Sequence, residues 1–137
     1  MPLTLRKYVE RYTPFEKERK VEVTIYDKSG RPYSYIADDG SIYLWSGKPV
    51  AYIDREHVYG FSGAHLGWFE NGIIYDGHGM QIGFTQQTSP SITQIEPIKS
   101  IKHIKHVKSI QHIPPVKPIF GLGYSTIDLS TFLEGRY

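Results

Sequence analysis

The chain has 137 residues, enough for one domain with a modest core and no covalent staples. It contains no cysteine, which excludes disulfides, thiolate metal sites and thiol nucleophiles. A net charge of +2 is too small to mark a nucleic-acid binder, and nothing resembles a signal peptide or a membrane span of ~20 apolar residues, so a soluble, cytoplasmic protein without membrane contact is expected.

In chain order, residues 1–23 read as an N-terminal extension. Thr13 and Glu16 have capping-box spacing, and Pro14 sits at a first-turn position, which predicts a short helix there. Residues 24–88 then hold a fourfold internal repeat: "IYDKSGRPYSY" from Ile25, "IYLWSGKPVAY" from Ile42, "VYGFSGAHLGW" from Val58 and "IYDGHGMQIGF" from Ile74. Each copy opens on Ile or Val and then Tyr (Tyr26, Tyr43, Tyr59, Tyr75). Gly follows four residues after the Tyr (Gly30, Gly47, Gly63, Gly79), and an aromatic nine residues after it (Tyr35, Tyr52, Trp68, Phe84).

Each copy reads as a β-hairpin whose Gly supplies the positive φ of a short loop. Alternation along the strands puts Tyr43 with Trp45, Val50 with Tyr52, and Tyr59, Phe61, Leu66 and Trp68 together on an aromatic face. That face must be buried against its neighbours. The small residue before the last aromatic (Ser34, Ala51, Gly67, Gly83) points the other way, toward a close approach. The fold class is therefore all-β, with four hairpins around a pseudo-fourfold axis or stacked as a short solenoid.

Around these residues, about 24–85, the chain resembles bacterial four-fold β-flower repeat proteins. The [IV]-Y-x-x-x-G spacing, the returning "PVAYI" and "HLGW" strands and the tail "PPVKPIFGLGYSTIDL" carry the resemblance. It implies four hairpins set like petals and no particular activity. A weaker similarity, from Gly67 to Phe84, is to choline-binding repeats, which cage a quaternary ammonium between aromatics. On that alternative Tyr43, Tyr52, Tyr59, Trp68, Tyr75 and Phe84 would line ligand pockets between hairpins. Aromatics buried as core are the favoured reading.

Residues 89–119 form an arm with an aliphatic residue at every third position from Ile92 to Ile119. A period of three fits neither an α-helix nor a flat strand, and prolines interrupt both. It matches polyproline II, which would present an aliphatic face, a lysine face (Lys99, Lys102, Lys105, Lys108, Lys117) and a Ser/His face. Drawn straight, the run would span about 84 Å, against a domain diameter on the order of 35–40 Å. The arm is therefore expected to run along or between subunits of a homo-oligomer. Ile98, Ile101, Ile104, Val107, Ile110 and Ile113 would form the interface, with lysines and histidines facing solvent.

Residues 120–137 read as a C-terminal anchor. Ser or Asp caps a short helix through Leu129, Phe132 and Leu133, and Gly135 stops it. His103, His106 and His112 lack the spacing to chelate within one chain, so neither a metal nor another cofactor is expected. Asp54 with His57, and Asp76 with His78, bring acid and imidazole together, but no nucleophile motif accompanies them. A non-enzymatic interaction or scaffold module is the favoured function. Small-ligand binding by the aromatics and polyanion binding by the lysine face are the alternatives.

Overall fold

The computed structural model describes residues 22–135. The helix expected at Thr13–Glu16 lies outside them. Eight strands close into one antiparallel barrel in sequence order. They are β1 (Val23–Tyr26), β2 (Pro32–Ile36), β3 (Ser41–Leu44), β4 (Pro49–Asp54), β5 (His57–Gly60), β6 (His65–Glu70), β7 (Ile73–Tyr75) and β8 (Gln81–Phe84). The repeat thus closes on itself instead of stacking as a solenoid. Four hairpins, β1–β2 through β7–β8, are the petals.

The hairpin loops share one geometry. In the second, the Gly47 amide donates to the Leu44 carbonyl (2.9 Å) and the Leu44 amide to the Lys48 carbonyl (2.9 Å). Gly47 sits at φ 93° and Gly63 at φ 92°, the left-handed conformation that a type I turn with a glycine bulge requires. Between petals the turns differ: Gly40 is left-handed in one, Arg55 in the next, and Asn71–Gly72 forms the third. An Asn-Gly pair is the strongest short hairpin signal, and it marks this turn in the sequence as well.

Each hairpin carries a register shift at the equivalent place, after Ile25, Ile42, Val58 and Ile74. A β-bulge lets two successive residues lean toward the same side. This corrects the simple alternation read from the sequence. Val50 and Leu66 pack with the barrel's interior cluster, whereas Tyr52 and Trp68 meet rings outside it.

The interior is built from equivalent positions, Ile25, Ile42, Val58 and Ile74, all at most 1 % exposed. A short helix, α1 (Leu129–Leu133), fills the barrel from the C-terminal tail, and Leu129, Phe132 and Leu133 join the same cluster. The crowded interior explains the glycines that precede the last aromatic: a Cβ on Gly83 would press on Ile25 and Ile74 at 3.2 Å. A Cβ on Gly67 would lie 2.0 Å from the Tyr75 carbonyl oxygen and 2.9 Å from the Phe132 ring. Asp128 stands at the N-cap, but its side chain makes no capping hydrogen bond. The expected cap is present in position only. Gly135, at φ 63°, follows the helix as its stop.

The barrel's seam is thin. β8 and β1 share a single registered pair, Tyr26 with Phe84. The tail reinforces it: the Gln81 amide donates to the Gly123 carbonyl (2.9 Å) and the Ser125 amide to the Gln81 carbonyl (2.8 Å).

Candidate functional site

The tail from Ile92 is in neither helix nor strand until Tyr124, and it is written in units of nine. The units are "ITQIEPIKS" from Ile92, "IKHIKHVKS" from Ile101, "IQHIPPVKP" from Ile110 and "IFGLGYSTI" from Ile119. Each unit engages one petal. The third residue donates its amide to the carbonyl of a hairpin-loop glycine: Gln94 to Gly30, His103 to Gly47 and His112 to Gly63 at 2.9 Å, Gly121 to Gly79 at 3.0 Å. Preceding each of two units, the Ser100 amide donates to the Trp45 carbonyl and the Ser109 amide to that of Phe61, both at 2.9 Å. Pro118 has no amide to repeat this bond before the fourth unit.

The tail therefore passes the four petals in order and circles the barrel as a strap. Three side-chain triplets carry it from one petal to the next, so a face that meets one petal meets them all. Curvature around its own barrel resolves the conflict between an 84 Å tract and a 35–40 Å domain. The arm is expected along other subunits; in this chain it lies on its own domain.

Under the strap lie the repeat aromatics, paired across neighbouring petals. Tyr35 and Tyr43 stack at 5.7 Å between ring centroids, and Tyr52 and Tyr59 at 5.6 Å. Trp68 and Tyr75 face each other across β6 and β7. Phe84 faces Tyr26 at the seam. The six candidate pocket residues, Tyr43, Tyr52, Tyr59, Trp68, Tyr75 and Phe84, are all buried. The strap covers them with its own chemistry. Lys99 Nζ stands 4.9 Å from the Tyr35 centroid, Lys102 5.5 Å from Tyr43 and Lys108 4.2 Å from Tyr52. These are cation–π distances, so each ammonium occupies the position that a quaternary ammonium ligand would take. In the fourth unit an aromatic replaces the lysine: Phe120 stacks on Tyr75 at 3.8 Å with the planes 4° apart. Tyr124 meets Phe84 edge-on at the seam.

The lysines also find carboxylates. Lys99 and Lys102 share Glu22 at 3.0 and 2.7 Å, Lys105 pairs with Asp39, and Lys117 bridges Glu56 (3.2 Å) and Glu70. The lysine face, expected in solvent, is turned onto the barrel. The physical reason is the tyrosine and carboxylate frame of the petals, which satisfies ammonium groups better than it would isoleucines. The aliphatic residues take the outward side. Ile98, Ile101, Ile104, Val107, Ile110 and Ile113 are 89–95 % exposed.

These ion pairs set a pH dependence. Burial alone would raise the Asp39 carboxyl, but Lys105 and the Ser41 amide outweigh it and hold the group at about 2. Glu22 is lowered too, burial being outweighed by Lys102 and Lys99. A depressed carboxyl stabilises the fold above its ordinary value and loses that contribution as it protonates. The melting temperature is therefore expected to fall as pH drops from 3.8 through about 2, and to fall less in Asp39→Asn. An equal acid response in both proteins would remove Asp39 as a strap anchor.

Two further features stand near the strap. A cavity of about 490 Å³ lies at the seam, between the first hairpin loop, Gln81 and residues 125–130. On the third petal, His57 Nδ1 and His65 Nε2 are 2.9 Å apart. His103, His106 and His112 are spread along the strap, His106 meeting Phe61 edge-on. Among the described residues no three His, Asp or Glu side chains converge on a metal position. Sequence reasoning missed the nine-residue unit and the His57–His65 pair. Aligning the tract against itself at longer offsets reveals the first. Pairing the third hairpin's strands brings the second together.

A closed barrel of four equivalent hairpins, plugged by one short helix and bound by its own tail, defines a petal-like class of all-β protein. The sequence model of the family described as 4-fold beta flower protein matches residues 23–133, and the chain belongs to that family. The match covers strap and plug as well as petals. No curated protein and no solved structure shows significant similarity to the chain. No helix among the described residues is long and apolar enough to cross a membrane.

Proposed function

We propose that the chain is a non-enzymatic interaction module that self-associates through the aliphatic row on the outer side of its strap. The observation that carries this reading is the row itself, ten Ile and Val side chains from Ile92 to Ile119, each at least 89 % exposed. Monomeric proteins rarely leave so extended an apolar surface in water. Burying one such side chain is worth ~1.5–3 kcal/mol, so half the row offsets much of the ~4–15 kcal/mol that association costs.

A second copy suits the row for two reasons. Its row has the same three-residue spacing, so side chains of one copy can seat between those of the other. The strap lysines are paired inward, so like charges do not oppose the approach. The same inward pairing weighs against polyanion binding by Lys99, Lys102, Lys105, Lys108 and Lys117. The covered aromatics weigh against an open ligand cage.

Light scattering on the full chain is expected to give a mass above the monomer, unchanged as salt is raised. Replacing Ile101, Ile104, Val107 and Ile110 with serine should reduce that mass while the melting transition is kept. A monomeric intact chain overturns the proposal.

A further inference from the structure

The third petal departs from the fourfold pattern at one place. Residues equivalent to His57 in the other petals are Thr24, Ser41 and Ile73; those equivalent to His65 are Pro32, Pro49 and Gln81. The barrel builds the same corner without imidazoles, so the scaffold does not require them. In the third petal two rings are brought together, His57 Nδ1 to His65 Nε2 at 2.9 Å. Tyr59 and Trp68 enclose them, the His65 and Trp68 centroids being 4.7 Å apart and those of Tyr59 and His65 5.3 Å. The Trp68 indole N–H is buried and, among the described residues, has no hydrogen-bond partner.

We propose that His57 and His65 form a two-imidazole site for a late first-row divalent metal, Cu(II) before Ni(II). Imidazole nitrogens bind such metals at ~2.0–2.1 Å, and two of them in adjacent positions of a tetragonal metal are about 2.9 Å apart. Cu(II) heads the affinity order for nitrogen sites and accepts that geometry. Both rings are half-buried, so water reaches the remaining positions. Without metal, one ring donates a hydrogen bond to the other. On binding, the donor ring changes tautomer: its proton moves through water to its other nitrogen, and both rings turn so that the two freed lone pairs converge on the metal instead of on each other. This inference is independent of the self-association proposed above.

The test titrates the full chain with Cu(II) alone at pH 7 and reads electron paramagnetic resonance with nitrogen modulation. One equivalent should bind tetragonally with two imidazole nitrogens. The double substitution His57→Ser with His65→Pro installs the pair found in the second petal, Ser41 and Pro49. It should keep the melting transition and weaken binding by roughly tenfold or more. Should the double variant fail to melt cooperatively, His57→Gln alone is read, and one imidazole nitrogen should disappear. His103→Gln with His106→Gln and His112→Gln should leave the signal unchanged. Equal affinity and spectrum after loss of the pair, or loss of the signal with the strap histidines, overturns the proposal.

Discussion

Truncating Trp68 to alanine is expected to destabilise the protein by ~3–5 kcal/mol, a large share of the ~5–15 kcal/mol that holds a domain folded. Trp68 is fully buried. It faces Tyr75 across the junction of the second pair of petals and lies under Phe120 of the strap, with centroids 6.2 Å apart. Its removal opens a void that three separate elements line, so no single one can collapse to fill it. Urea unfolding checks the magnitude. A variant that melts normally but loses affinity for a small organic cation would instead make the aromatic cleft a binding site.

Replacing Gly63 with valine is expected to cost more than a surface substitution should, because two penalties coincide. At φ 92° a β-branched residue is strained, by ~1–3 kcal/mol. The new Cβ would also stand 2.1 Å from the Ile110 carbonyl oxygen, which is backbone and cannot swing aside. The third unit of the strap must lift, and the 2.9 Å bond from the His112 amide to Gly63 breaks with it. Hydrogen exchange should show the His112 amide losing protection together with a lowered melting temperature. Gly77→Ala serves as the control, since nothing among the described residues lies within 4 Å of its added Cβ. Equal melting temperatures for Gly63→Val and wild type would count against the hairpin geometry itself.

The petals were legible in the sequence because a tight hairpin leaves local marks. Tyr43, Gly47 and Tyr52 stand at spacings that only a loop of fixed length allows, and three other copies repeat them. The plug was half legible: Leu129, Phe132 and Leu133 mark a helix, while Gly67 marks a close approach, but nothing local joins the two. The strap's outward and inward faces were not legible. Hydrophobicity alone assigns the isoleucines to the buried side and the lysines to water. The outcome depends on Tyr35, Tyr52, Glu22 and Asp39, which are distant in sequence and together form a frame made for ammonium groups. The bulges, too, follow from pairing across strands, so alternation placed Leu66 on the wrong side.

The strap and the barrel count in different units, nine residues against sixteen or seventeen, yet they advance together one petal at a time. Their gearing restricts how such a chain can change in length. A loss of three residues from the strap would keep every lysine on its proper side and still leave the next unit short of its glycine. Only whole nine-residue steps preserve the meshing, and each removes the partner of one hairpin. Insertions and deletions are thus accommodated only when a petal and its strap unit are gained or lost as a pair, although some thirty residues or more of chain separate the two.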